Sequence, residues 1–192
     1  GMIRFLPLET ALPDWGTALA AAGLFAALYG VLIGITQRDP RVVLAYSSVS
    51  QMGFIVAIIG MGILTGDGRA ALGAAFYAAH HVLVKGALFL SVAVIAATGS
   101  QRLWPMLLPV AIIAVGLGGL PLTGGALAKF AADELLGDGP ASTIATLSAV
   151  GTTLLMLQFL RSLARTASQD PQAIAPAGLV WPWLATAVVS LV

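Results

Sequence analysis

Residues 71–97 read ALGAAFYAAHHVLVKGALFLSVAVIAA, an apolar run long enough to cross a bilayer that nevertheless holds His80, His81 and Lys85. A transmembrane helix needs about 20 apolar residues. A charge near the bilayer centre costs about 2.5–3.5 kcal/mol on the insertion scale, and residues that bear this cost face a protein interior or water. Lys85 lies about midway along the run. His81 stands four residues before it and Tyr77 four before that, so the three share one helical face, while His80 points about 100° away. An imidazole, which titrates near neutrality, close to a buried amine is the pairing that passing a proton requires, so His81 and Lys85, with His80 beside them, are the candidate proton-conduction residues of this span.

The rest of the chain repeats the apolar pattern. Of 192 residues, 59% are hydrophobic and only 9% charged, with mean hydropathy +0.98; a soluble domain is about a quarter charged. Spans are expected over about 15–36, 42–64, 71–97, 142–163 and 179–192, with Pro40 marking the break before the second and residues 1–14 forming an interfacial lead-in. The N-terminus lacks the features of a cleaved secretory signal, so the first span is expected to stay. Trp104, Trp181 and Trp183 read as interface anchors.

The segment 104–137 is too long for one straight span, since 34 helical residues reach about 51 Å against a hydrocarbon core of about 30 Å. It is too short for two spans and a loop. Gly119, Pro121, Gly124 and Gly125 lie near its middle, which predicts one helix broken at membrane depth; such breaks mark ion and substrate sites in transporters. With one broken span, Arg38, Arg41, Arg102, Arg161 and Arg165 share a side and Arg4 and Arg69 take the other. The first side is then cytoplasmic and the N-terminus outside. Two full spans would reverse Arg161 and Arg165 and erase the bias. The fold class is therefore all-α, a polytopic bundle of about six helices with one broken.

Lys129 is the second membrane lysine, in the back half of the broken helix, with Asp133 and Glu134 one turn further on. Backbone groups freed by the break can hold water, which makes Lys129 a terminal or gating station for protons. Ser47, Ser48, Ser50 and Gln51 form a polar insert in the second span. They cannot titrate, but they can organise water between stations; the plainer reading is interhelical hydrogen bonding. A static ion pair is the corresponding reading of the lysines.

Several classes are excluded. Nine Lys and Arg are scattered at a net charge of +1, so no nucleic acid partner is expected. Cysteine is absent, which removes disulfides and Cys-ligated clusters. His80 and His81 lack the spacing of a metal site, no glycine run forms a phosphate loop, and no triad is present. No cofactor and no catalytic site is expected in this chain.

Three motifs carry a resemblance. Asp39-Pro40-Arg41-Val42-Val43-Leu44-Ala45-Tyr46-Ser47-Ser48-Val49-Ser50-Gln51-Met52-Gly53-Phe54, then His81-Val82-Leu83-Val84-Lys85-Gly86-Ala87-Leu88-Phe89-Leu90, then Gly119-Leu120-Pro121-Leu122-Thr123-Gly124-Gly125 with Lys129-Phe130 resemble the antiporter-like proton-conducting subunits. That family comprises the large membrane-arm subunits of complex I (NADH-quinone oxidoreductase), their homologues in membrane-bound hydrogenases, and the multisubunit sodium/proton antiporters. The resemblance implies a fourteen-helix protein of two inverted repeats, of which this chain looks like the second. It also implies that Lys85 is the conduction lysine, His81 its neighbour, and Lys129 the station facing the outer exit. Arg41 stands where the family usually has lysine, and Gln51 where some members carry histidine. The implied partners are other membrane subunits and the lipid bilayer, the cargo is protons with sodium as a further candidate, and the expected location is a bacterial inner membrane. A portion of a longer subunit is expected; the alternatives are a short paralogue or a non-conducting structural subunit.

Overall fold

The structure, a computed structural model, describes residues 11–117 and 140–191. Six α-helices occur among these residues: α1 Pro13–Gly34, α2 Pro40–Thr65, α3 Arg69–Ala96, α4 Leu103–Leu117, α5 Pro140–Ala164 and α6 Ala177–Leu191. A 3-10 turn at Ser100–Arg102 leads into α4. α1, α2, α3 and the stretch Ser100–Leu117 are long and apolar enough to cross a membrane, and α5 and α6 contribute shorter apolar segments. The expected break between Gly119 and Gly125 lies outside the described residues.

Proline opens helices that the sequence reading began later. Pro13, Pro40 and Pro140 are each the first residue of their helix. A fixed φ and a missing N–H cost nothing at that position. At α2 the Asp39 carboxylate caps the first turn by accepting the Arg41 N–H at 2.8 Å, and Gly66 ends the helix at φ 72, a left-handed conformation natural to glycine. Asp67 then pairs with the Arg69 guanidinium at 2.9 Å, and that hydrogen bond holds its carboxyl below the usual range.

α1 and α2 run antiparallel and touch backbone to backbone. Gly16, Gly23 and Gly30 recur every seven residues on α1 and meet Gly60, Gly53 and Ser50 of α2; a Cβ on Gly53 would come within 2.6 Å of the Ala27 nitrogen. Small residues let helices approach this closely. The opposite face of α1, with Trp15, Phe25 and Leu32, is exposed.

Two apolar clusters fill the bundle. The larger joins Val43 and Leu44 of α2, Val84, Leu88 and Ile95 of α3, Ile113 of α4, and Leu155 and Phe159 of α5. The smaller joins Phe54, Ile58 and Ile63 of α2 to Ala70, Ala74 and Tyr77 of α3. Trp104 and Trp181 are 73% and 71% exposed, as anchors should be, but Trp183 is 1% exposed and belongs to the larger cluster. α6 lays the face of Trp183, Ala187 and Ser190 on its neighbours, so only one of its two tryptophans can point outward.

One end of the bundle carries the five arginines that the sequence grouped. Gln158 Nε2 of α5 donates to the Gln37 carbonyl at 2.8 Å, and the linker after α5 clamps the turn after α3 through Ser168 N to Thr98 O, Gly99 N to Ala173 O and Gln101 N to Pro171 O. The ends bearing Arg38, Arg41, Arg102, Arg161 and Arg165 are thereby collected together, and Arg69 lies at the other end. At Gly99 a Cβ would collide with the Asp170 and Pro171 carbonyls. Gly99→Ala is expected to spring this clamp and speed tryptic cleavage at the exposed Arg165 several-fold; an unchanged cleavage rate would show that the linker is held by other contacts.

Candidate functional site

Between the two apolar clusters α2 and α3 present a polar layer. Ser47, Ser50 and Gln51 of α2, Tyr77, His81 and Lys85 of α3, and Thr152 of α5 are each at most 6% exposed. Polar groups survive such burial when hydrogen-bonded. Lys85 Nζ donates to the Leu44 carbonyl at 2.8 Å and to Ser47 Oγ at 2.7 Å. Two helical turns away, about 12 Å along the axis, Tyr77 donates its hydroxyl to Gln51 Oε1, and Gln51 Nε2 donates to Thr152 Oγ1 at 2.7 Å. His81 occupies the turn between these two groups. Its Nδ1 and the Ser50 hydroxyl have no hydrogen-bond partner among the described residues.

The chemistry follows from what Lys85 lacks. Its described acceptors are a carbonyl and a hydroxyl, both neutral, and the ion pair found among the described residues is Asp67–Arg69 at a helix end. An ammonium paired with a buried carboxylate strands an uncompensated charge if its proton leaves. One held by neutral dipoles can release and regain a proton without that penalty. His81 stands one turn away on the same face of α3, and its Nδ1 has no hydrogen-bond partner among the described residues.

The structure brings together His81, Lys85, Ser47, Gln51 and Tyr77. It separates two residues from them. His80 is half-buried on the outward flank of α3. Ser48 turns back to the Leu44 carbonyl at 3.1 Å and borders an apolar groove of about 480 Å³ between α1 and α2, lined also by Ala22, Ala26 and Met52. Lys129, Asp133 and Glu134, with Gly119, Pro121, Gly124 and Gly125, lie outside the described residues. No cluster of metal-binding side chains occurs among the described residues.

Sequence reasoning missed Thr152 and the Leu44 carbonyl. Thr152 carried a usable signal, because Thr152-Thr153 interrupts the apolar run of α5 as Ser47 and Gln51 interrupt α2; the carbonyl carried none. Gln51→Leu is expected to destabilise the bundle by about 1–3 kcal/mol, since it strands the buried Tyr77 hydroxyl. Combining it with Tyr77→Phe should recover about 1 kcal/mol in a double-mutant cycle, and strict additivity of the two would mean the pair does not interact.

Comparison with known proteins agrees with this architecture. The family model described as NADH:quinone oxidoreductase/Mrp antiporter, transmembrane, matches residues 1–157. The NADH-quinone oxidoreductase subunit N of Salinispora tropica is 33% identical over 181 residues, covering 84% of this chain and 35% of the relative. Among solved structures, a chain of the Mrp complex from Dietzia sp. superposes with a TM-score of 0.75 at 21% identity, over 92% of this chain and 43% of its own length. A chain of respiratory complex I from Thermus thermophilus gives 0.64 at 22% identity, over 91% and 42%. This chain thus spans about a third of the length of that curated relative. With its apolar helices and its polar layer at their centre, the chain is an integral, multi-pass membrane protein that belongs to the NADH:quinone oxidoreductase/Mrp antiporter family.

Proposed function

We propose that the chain is a proton-translocating part of a multisubunit membrane complex, with His81 and Lys85 as the stations inside the bundle and Lys129 as the station toward the outer exit. The observation that supports it best is the Lys85 ammonium buried against neutral acceptors, one turn from an imidazole whose Nδ1 is open. Tyr77, Gln51 and Thr152 extend the polar line away from the arginine-rich end. That end faces the cytoplasm, by the excess of arginine there.

Transport in this reading is electrostatic. A proton arriving at His81 disfavours the charge on Lys85, which passes its own proton toward Lys129, and events in neighbouring subunits set the direction. The complex I, hydrogenase and cation-antiporter settings share this step, and sodium is a second candidate cargo. The static alternative, a lysine paired with another subunit, is disfavoured because two of the three N–H groups of the buried Lys85 ammonium are taken by acceptors of its own chain. Proton flux in proteoliposomes of the full native complex, with and without a sodium gradient, tests the reading: loss of flux in Lys85→Ala supports it, and sodium-dependent flux assigns the second cargo.

A further inference from the structure

A proton on His81 or Lys85 can travel only as far as the polar layer runs. Away from the arginine-rich end, the seam between α2 and α3 turns apolar directly beyond Tyr77. The Phe54 ring packs on the Tyr77 ring with centroids 5.6 Å apart, and Ile58, Ala74 and Ala70 close the seam behind it. Among the described residues the hydrogen bonds instead lead out of the layer sideways, from Tyr77 on α3 through Gln51 on α2 to Thr152 on α5. These three are 6%, 4% and 1% exposed, so the line is shut off from solvent. α5 begins at Pro140, directly after the stretch of sequence that carries Lys129, Asp133 and Glu134.

The middle member of this line differs in kind from its neighbours. A hydroxyl accepts as well as donates, so it can take one proton and release another. An amide divides the two roles between its atoms, the carbonyl accepting and the NH2 donating. To pass a proton, Gln51 Oε1 would take it from the Tyr77 hydroxyl and Nε2 would release one to Thr152 Oγ1. The O–H bond formed and the N–H bond broken leave the side chain as its imidic acid tautomer, which must revert before the next proton. Turning the amide over exchanges the two partners and leaves the obstacle in place. A carboxyl at the same position would take a proton on one oxygen, release one from the other, and be a carboxyl again. Amides are accordingly absent from the side chains that titrate or act as general acids and bases.

We propose that Gln51 is a proton block: its buried amide ties α2 to α3 and α5 and stops protons held at His81 and Lys85 from reaching α5 through side chains. The block deepens the reading of His81 and Lys85 as stations and rests on it. Passage toward α5 then requires the chain of Tyr77, Gln51 and Thr152 to part and admit water. That ties passage to helix movement and holds a proton gradient against slip between transport events.

The test is the passive proton leak of the full native complex in proteoliposomes, with a preset pH gradient and no driving reaction, followed by a pH-sensitive dye. Gln51→Glu supplies a carboxyl relay and is expected to speed decay of the gradient at least fivefold. Gln51→Met removes both hydrogen bonds without supplying a relay, and its decay should stay within twofold of the parent. Where Gln51→Glu fails to assemble, Gln51→His, whose two ring nitrogens also relay, carries the same expectation. Equal leak in the Glu and Met variants would overturn the block, because loosened packing would then explain it. Decay at the parent rate in the Glu and His variants would overturn it as well. Adding Lys85→Ala to the leaking variant separates the block from the station reading: an abolished leak supports both, and a persistent one supports the block while removing Lys85 from the path.

Discussion

Lys85→Ala is expected to lower proton flux at least tenfold in proteoliposomes of the full native complex while the complex remains assembled. Tenfold corresponds to about 1.4 kcal/mol in the barrier, and losing a charged station from a buried line should exceed that. Assembly should persist because of how Lys85 is held. The Leu44 carbonyl also accepts the Ser48 hydroxyl, and the Ser47 hydroxyl can turn back onto its own helix as serines in helices do, so neither acceptor is stranded. The cost is then mainly the emptied volume of the lysine stem, about 2 kcal/mol. Size-exclusion chromatography of the solubilised complex measures assembly, and pH-dye quenching measures flux. Persistent flux in an intact complex would make Lys85 a structural residue. Loss of assembly would identify it as an intersubunit tether instead.

The second large effect concerns the seam between α1 and α2, where Gly53→Ala and Gly178→Ala should differ in sign. In an exposed helix, exchanging glycine for alanine stabilises by about 0.5–1 kcal/mol because the unfolded chain loses freedom. Gly178 near the start of α6 fits that case, since a Cβ there meets nothing within 4 Å. At Gly53 the same Cβ would approach the Ala27 nitrogen and the Gly23 carbonyl oxygen at 2.6 Å. Both atoms are backbone, so no rotamer can relieve the contact, and the helices must separate at a cost of about 3 kcal/mol, the upper end for overpacking. Thermal unfolding in detergent should place Gly53→Ala well below the parent and Gly178→Ala at or slightly above it. Equal stability of the two variants would mean that the seam is looser than the structure has it.

Helix existence was legible because hydropathy and length are local properties. The six apolar runs and the membrane environment follow from composition alone, and the end shared by Arg38, Arg41, Arg102, Arg161 and Arg165 followed from counting spans. The face shared by Tyr77, His81 and Lys85 was legible too, being fixed by the helical period. Helix starts were less so: Pro40 reads as a break from either side, and the Asp39 cap decides that it belongs to α2.

Pairing across helices depends on which faces meet, and one-dimensional spacing does not encode that. The sequence placed Ser47, Ser48, Ser50 and Gln51 together as one polar insert. Only packing sent Ser47 to Lys85, Gln51 to Tyr77 and Thr152, and Ser48 to the groove beside α1. The sequence likewise determined that a lysine and two histidines lie at membrane depth. The tertiary structure alone decided that Lys85 meets neutral acceptors on α2 and that His80 looks outward, because a buried group's partners are set by how helices rotate about their axes to close their small-residue seams.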